Sequence, residues 1–517
     1  MANKSIFARF TGNRLPKADT INRSGVDAFA YGPEHALAQL AVTGTFNDGF
    51  YGTGEMQVEA IRNACEQVEP MVVAQTAIYA HENGYMKDTP ALLLAILSSM
   101  DASLFHRTFG RVITNGKMLR NFVQIMRFGV TGRKSLGTGP KRRVQAWLNT
   151  ASDWQLLNAA IGNDPSLADV IKMVHPKPDT AEREALFAWI MGKPHEFSKL
   201  PKAVQEYRLL KDTGKGILPD VPFQILTSLP LSAEQWAKIA RRGSWQMVRM
   251  NLNTFARHGV FGLKRSTSEI AAKLRNPEAV RAAKAMPYQL LAAANALDPK
   301  VPNEVRDALI DAMEIAVSNA PKIAGGVVIC PDVSGSMGSP VTGYRSGSTS
   351  AVRCIDVAGL VSAAMLRNNP GAQIMPFDTR VHDAWLSRRD TVMSNAQTLA
   401  HYLGGGTDCA APLRALNKRN RAPDLVIFVS DNESWRHQGD GRTTPMMVEW
   451  DKIKRRNPRA KLVCIDIAPY GTTQAKSRGD ILNVGGFSDT VFDVIAGFAN
   501  GQSGPAFWTD EIAKIQV

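Results

Sequence analysis

The chain is poor in cysteine and lacks long apolar runs. Its five cysteines, at 65, 330, 354, 409 and 464, form no close pair and leave an odd number. That argues against a disulfide framework or a cysteine-based zinc site, and for reduced, mostly buried thiols. No stretch of about 18 apolar residues is present, so no membrane-spanning helix is expected. The first 25 residues contain basic side chains but neither an apolar core nor a small-residue cleavage site, so a secretory signal is not expected and the cytoplasm is the default address. Scattered histidines give no HExxH. No GxxxxGKS or GxxxxGKT occurs, because Gly132 to Gly137 is followed by Thr138 and Gly139. A phosphate-cradling P-loop is therefore absent.

What is present is an ordinary globular composition, 44% hydrophobic and 21% charged, over 517 residues. That length exceeds what one core supports, so two or three domains are expected. The net charge of +14 is unevenly distributed: residues 101–150 hold ten Lys/Arg and one acid, and residues 241–284 hold ten Lys/Arg and two acids. Such stretches suit a polyanion, although a solvated helix face explains one of them about as well.

From about 30 to 320 apolar residues recur at helical spacing, most clearly in EPMVVAQTAIYAHEN, TPALLLAILSSM, SWQMVRMNLNTFARH, MPYQLLAAANAL and EVRDALIDAMEIAVSNA. Breakers such as Asp88-Thr89-Pro90, Gly162-Asn163-Asp164-Pro165 and Pro176-Lys177-Pro178 divide them. Consecutive helices of this length suggest an α-solenoid. At about 321 the period changes. GGVVIC, AQIMPF, DLVIFVS and KLVCIDIA read as buried strands, with the helices RCIDVAGLVSAAMLRN and APLRALNKR between them. This is the pattern of a doubly wound parallel sheet, which places ligand loops at the C-terminal strand ends. The expected division is a flexible segment 1–25, a helical domain 26–320 and an α/β domain 321–517.

Candidate metal ligands fall at those strand ends. VVICPDVSGSMGSP places Asp332, Ser334 and Ser336 after the first strand, GGGTD supplies Thr407, and VIFVSDNES supplies Asp431. Two carboxylates and three hydroxyls make an all-oxygen set suited to Mg²⁺, with Mn²⁺ or Ca²⁺ as substitutes. The DxSxS string with its distant Thr and Asp resembles the metal-ion-dependent adhesion site of von Willebrand factor A domains. The resemblance implies recognition, with one ion position left open for an acidic group of a partner. Hydrolysis would need a general base or more carboxylates, and only Asp408 and Glu433 lie close in sequence. Asp378 reads as a strand-end or supporting carboxylate.

In the helical part, Arg107, Arg111, Lys117, Arg120, Arg127, Arg133, Lys134, Lys141, Arg142 and Arg143 interleave with aromatics, and Gly132 to Pro140 reads as a basic loop between two helices. Such segments favour phosphate contacts with little sequence reading. Phe109, Phe122 and Trp147 read as core. TFNDGFY at 45–51, YMKDTPALLLAILS at 85–98, RVQAWLN at 143–149, IKMVHPKP at 171–178 and MNLNTF at 250–255 are similar to the TROVE module of the Ro RNA-binding autoantigen family, bacterial members above all. In that family a von Willebrand A domain follows the module.

The resemblance implies a HEAT-like ring of helical repeats followed by the A domain. It also implies small noncoding Y RNA on an outer basic surface, single-stranded 3′ ends of misfolded RNA in a central hole, and a role in RNA maturation, decay or quality control alongside an exoribonuclease. The expected protein is a non-enzymatic ribonucleoprotein scaffold, monomeric apart from its RNA assembly. On the same resemblance His175 matches a Y RNA-facing histidine and Lys172 a basic position before it, while a His before Pro can equally cap a helix. Gly162-Asn163-Asp164-Pro165 stands where animal members carry Lys and Arg, a departure that Arg133 to Arg143 could offset. The competing readings are a protein-binding adaptor whose metal captures an acidic partner, and an enzyme such as an ATP-dependent chelatase subunit.

Overall fold

The computed structural model describes residues 15–132, 134–285, 287–318, 320–344, 352–434, 443–488, 490–502, 504 and 506–517. The chain forms two compact units. One gathers the described residues up to 57, Pro287–Tyr288 and 317–511; the other gathers 58–285, 289–316 and 512–517. The boundaries expected at 26 and 321 therefore do not coincide with the units.

The helical unit is built by local signals. Asp101 accepts from the Leu104 N–H at 2.8 Å to start the helix Ala102–Val112, and Asn115 accepts from Met118 to start Gly116–Arg127. Ser152/Gln155, Ser166/Asp169 and Ser232/Gln235 each form a reciprocal capping box. These caps satisfy N–H groups that have no partner within a helix. The helix Asp88–Met100 is buried through Leu92, Leu93, Leu94 and Leu97 and packs against Pro70–Glu82, Ala102–Val112 and Gly116–Arg127. Phe105, Phe109 and Phe122 pack ring to ring in this core, with centroids 5.6 to 6.0 Å apart. The expected helix over 244–258 is instead two, Trp245–Met250 and Leu252–Arg257. Asn251 breaks it by folding its side chain back onto the Met247 carbonyl at 2.8 Å, an alternative to helix continuation. The last residues return to this unit, where Gln75 donates to the carbonyls of Ala513 and Ile515.

The other unit contains β1 (Thr20–Ile21), β2 (Asp27–Ala30), β3 (Val327–Pro331), β4 (Gln373–Ile374), β5 (Leu425–Ser430), β6 (Lys461–Asp466), β7 (Thr472–Thr473) and β8 (Ile481–Gly485). The main sheet is parallel in the order β4-β3-β5-β6-β8, with β3 paired to β5 from Val327↔Leu425 to Pro331↔Val429. Every residue of β3, β5 and β8 is buried, as strands covered on both faces require. The helices Cys354–Asn368 and Ala411–Lys418 fall where the sequence places them.

The segment expected to be flexible up to residue 25 is tied down from β1 onward. β1 and β2 pair antiparallel with β7 beyond them, and the turn is closed by Asn22, whose side chain accepts from Ser24 and Val26 and donates to the Ser434 carbonyl at 2.6 Å. Among the described residues no helix is long and apolar enough to cross a membrane.

Candidate metal centre and nucleic-acid interface

Strands β3 and β5 are neighbours, so the loops leaving their C-terminal ends emerge side by side. Asp332 continues from β3, with its N–H on the Val429 carbonyl at 3.0 Å. Its Oδ1 accepts from the Ser334 N–H at 2.8 Å, and its Oδ2 from the Ser430 hydroxyl at 2.6 Å. Ser334 and Ser336 bring their hydroxyl oxygens to 3.3 Å, and Asp431 lies near enough for its charge to act on Asp332. Asp431 accepts from the Glu433 N–H at 3.2 Å. Three of the five expected ligands, Asp332, Ser334 and Ser336, thus share one hydrogen-bonded cluster, with Asp431 following Ser430 beside it. Thr407 is buried, and its loop is fastened to the cluster by the Gly335 N–H on the Gly405 carbonyl at 3.0 Å. Gly405 has φ +70, and a Cβ there would sit 2.6 Å from Asp378 Oδ2, so both conformation and space call for glycine. Asp378 therefore supports the Thr407 loop from below.

Burial holds both Asp332 and Asp431 above the ordinary carboxylate range, and the charge of Asp431 raises Asp332 further. Glu433 is likewise pushed up to about 7, by burial first and then by Asp431. The described contacts give the two aspartates hydroxyls and backbone N–H groups, not cationic side chains. A buried pair of like charges is costly without a counter-ion, and an oxygen-rich pocket of this kind suits a hard divalent cation. Among the described residues no three His, Cys, Asp or Glu side chains converge on a point. Asp408 is engaged by Arg414 at 2.9 Å. One side chain outside the sequence expectation joins the cluster. Ser430 stands immediately before Asp431 at a buried strand end, a signal the sequence offers.

The basic residues of the helical unit divide into two kinds. Arg120 is buried, and its guanidinium bonds the carbonyls of Ile161, Asn163 and Pro165 at 2.8 to 3.3 Å. It supports a loop and does not face a polyanion, which corrects the expectation. Arg111 makes a two-pronged ion pair with Glu82 and reaches the Gln516 carbonyl. Arg143 is turned onto His106, at 2.9 Å to Nδ1 and 2.8 Å to the carbonyl. In the second basic stretch Arg249 and Lys273 hold backbone carbonyls, and Arg241 and Arg275 pair with Glu269 and Asp311.

The remainder is outward-facing. Lys117, Lys134, Arg142, Lys172 and His175 are exposed and Lys141 is half-buried. Lys117, Lys141, Arg142 and Lys172 belong to three helices, of which Leu167–Val174 packs on both Gly116–Arg127 and Thr138–Thr150; Lys134 lies in the connection before Thr138–Thr150, and His175 follows Leu167–Val174. Gln145 fastens Thr138–Thr150 to Leu167–Val174 by donating to the Val174 and His175 carbonyls. Lys141 and Arg142 sit in the first turns of Thr138–Thr150, where unpaired N–H groups add positive potential. His175 has φ +51 and caps its helix through a 2.9 Å bond to Ile171, while its ring stays exposed. Arg133 lies outside the described residues. Phe109 and Phe122 are buried, as read from their spacing.

Comparisons with known proteins agree with this two-part reading. Residues 327–499 match the family described as the Ro60 vWA domain. Over 95% of its length the chain is 23% identical to a protein named RNA-binding protein RO60 from Deinococcus radiodurans, covering 97% of that protein. The crystal structure of the Deinococcus radiodurans RO (RSR) protein is similar in fold, with a TM-score of 0.59 at 21% identity, covering 91% of this chain and all of that one.

Proposed function

With a resemblance to the Ro family that spans both the helical part and the sheet domain, we propose that this protein is an RNA-binding ribonucleoprotein scaffold. The observation that carries the reading is the placement of Lys117, Lys141, Arg142 and Lys172 on the helix Leu167–Val174 and the two helices it packs against, with Lys134 in the connection before Thr138–Thr150 and His175 at the end of Leu167–Val174. Cations gathered from separate segments onto adjoining helix surfaces give a field that a phosphate backbone can follow. The finer roles are structured noncoding RNA of the Y type on that surface, single-stranded 3′ ends held elsewhere in the helical unit, and action in RNA maturation, decay or quality control. Partnership with an exoribonuclease and a cytoplasmic address belong to the same reading. Asp332, Ser334, Ser336, Thr407 and Asp431 would hold a divalent ion, Mg²⁺ foremost. Such an ion supplies a fixed positive charge among the buried carboxylates; these residues position it and need no bond-breaking step.

A filter-binding titration with structured RNA bearing a free 3′ tail tests the reading. For about 6 to 10 phosphate contacts, affinity should fall roughly 10³- to 10⁵-fold between about 50 and 200 mM salt. Salt-independent or absent binding would favour the adaptor reading, in which the ion site captures an acidic protein.

A further inference from the structure

The helical unit contains a groove of about 470 Å³, within the roughly 300 to 1,000 Å³ of small-ligand pockets. Its floor is apolar and buried: Leu218, Val221 and Leu226 come from the segment leading through the short helix Phe223–Leu226, and Ile239 from the helix Ala233–Arg242. Pro219 and Pro222 stiffen that segment, and Arg242 holds it by donating to the Leu218 carbonyl at 3.3 Å. Two apolar side chains line the groove in the open, Trp154 at 48% and Met250 at 68% exposed. The backbone fixes both. Trp154 stands in the first turn of the helix Asp153–Ala159, which the Ser152/Gln155 capping box locks, and Met250 ends the helix that Asn251 breaks. An indole left half in water forgoes the burial that so large a ring ordinarily finds.

Amides interrupt the apolar lining. Asn158, Gln224, Gln246 and Asn251 all face the groove, and the side chains of Asn158 and Gln224 take no hydrogen-bond partner among the described residues. An amide offers a donor and an acceptor together. That pairing matches the edge of a nucleobase, whose two faces are apolar and stack on aromatic rings. A protein partner would need a continuous apolar face, which the four amides break. The charge also suits a phosphate strand: exposed Lys238 stands one turn before Arg242 on the same helix face, and Asp220 is the one acid among the lining residues.

We propose that this groove takes an unpaired nucleobase of single-stranded RNA, with Trp154 stacked on the face of the base and Asn158 and Gln224 bonded to its edge. The inference rests on the RNA-binding reading above and adds to it a site that holds a base and not a phosphate. None of Lys117, Lys141, Arg142 and Lys172 lines the groove, so the two sites are tested apart.

The test uses the full chain and, as the probe, a single-stranded oligoadenylate of about ten residues, within the roughly 4 to 16 nucleotides of single-strand sites. A terminal fluorescein reports affinity by anisotropy, and 2-aminopurine stepped along the strand in place of adenine reports stacking by its quenching. Circular dichroism and the urea midpoint report folding. Stacking of one base on an aromatic ring is worth about 5- to 150-fold in affinity. Trp154→Ala should lose that much and abolish the quenching, with the salt slope and the fold unchanged, and Trp154→Phe should recover most of both. Gln224→Ala, at an exposed position, should weaken binding about 2- to 10-fold, the value of one hydrogen bond. Wild-type protein that binds neither this strand nor the tailed structured RNA defeats the RNA reading and this inference together. Wild-type protein that binds the tailed RNA but not the strand, or Trp154→Ala and Gln224→Ala that bind the strand as tightly as the wild type, overturns the nucleobase site alone.

Discussion

Replacing Asp332 by Asn should uncouple the stability of the sheet unit from magnesium. In the wild type the carboxylates of Asp332 and Asp431 are both buried and held above the ordinary range by burial, Asp332 further by the charge of Asp431. An ion that binds only the folded form adds RT ln(1 + [L]/Kd), about 2.7 kcal/mol at 100 times Kd. For a unit of about 150 to 250 residues each kcal/mol moves Tm by about 2 to 4 °C, so saturating Mg²⁺ should raise the melting temperature by roughly 5 to 11 °C. Asparagine keeps an oxygen for the Ser334 N–H and offers an amide to Ser430, so the local bonds of 2.8 and 2.6 Å have substitutes. It removes one of two like charges, so the ion-free variant should melt no lower than the ion-free wild type.

The assay is scanning calorimetry of both proteins in EDTA and across a Mg²⁺ series. The expected pattern is a concentration-dependent rise in the wild type and a flat line in Asp332→Asn. Equal Mg²⁺ shifts in the two proteins would show that the ion binds elsewhere. A variant that melts well below the wild type in EDTA would show that the carboxylate is structural and not held at a cost.

Lys141→Glu with Arg142→Glu should weaken RNA binding by at least tenfold and flatten its salt dependence, read by filter binding, while circular dichroism stays unchanged; unaltered affinity would move the interface elsewhere. Arg143 is left alone in that variant because its bonds to His106 make it structural. Arg120→Ala should destabilise the helical unit by about 3 kcal/mol, since it strips a charged donor from buried carbonyls, and a urea midpoint equal to wild type would contradict the assignment. Burial lowers His35 to about 3, between the rings of Tyr31 at 4.2 Å and Trp508 at 5.2 Å. Because its folded pKa lies below its unfolded one, the stability it contributes is full above about pH 6.5 and is lost as pH falls toward 3, by up to about 1.4 kcal/mol per pH unit. The urea midpoint of His35→Phe should therefore fall less steeply between pH 6 and 4 than that of the wild type, and parallel profiles would remove His35 as a cause.

The cluster of oxygen donors was readable because Asp332, Ser334, Ser336 and Asp431 sit in short strings just after the buried strands β3 and β5, and parallel neighbours bring such ends together. Two features resisted reading. β8 carries Asn483 in its middle, and only the fold reveals that this amide is buried and bonded to the Ala475 carbonyl and the Ser477 hydroxyl. β1 and β7 have two residues each and exist through pairing alone. The N-terminal boundary failed for a related reason: a polar, basic composition suggests a flexible tail, yet Asn22 supplies its own turn and anchors it to Ser434.

The same distinction governs the basic stretches. Stacked helices end in carbonyls that lack partners within the helix, and a buried carbonyl needs a donor. Lys273 shows the solution: its ammonium takes the carbonyls of Ala240, Arg241 and Gly243 at the end of the helix Ala233–Arg242, at 2.6 to 3.2 Å. Arg120 serves the 161–165 loop and Arg249 the Gln289 carbonyl in the same way. Lysine and arginine in this unit therefore report two quantities at once, the demand for long-reaching donors within helical packing and the field offered to phosphate. Counting charge along the chain adds them together. Only the cations with no internal carbonyl or carboxylate to satisfy can release counter-ions on meeting RNA, so the slope of log affinity against log salt should follow the exposed group around Lys117, Lys134, Arg142 and Lys172 and not the full basic excess of the sequence. A measured slope near the full count of ten cations in residues 101–150 would mean that the ion pair of Arg111 and the His106 contact of Arg143 open when RNA binds.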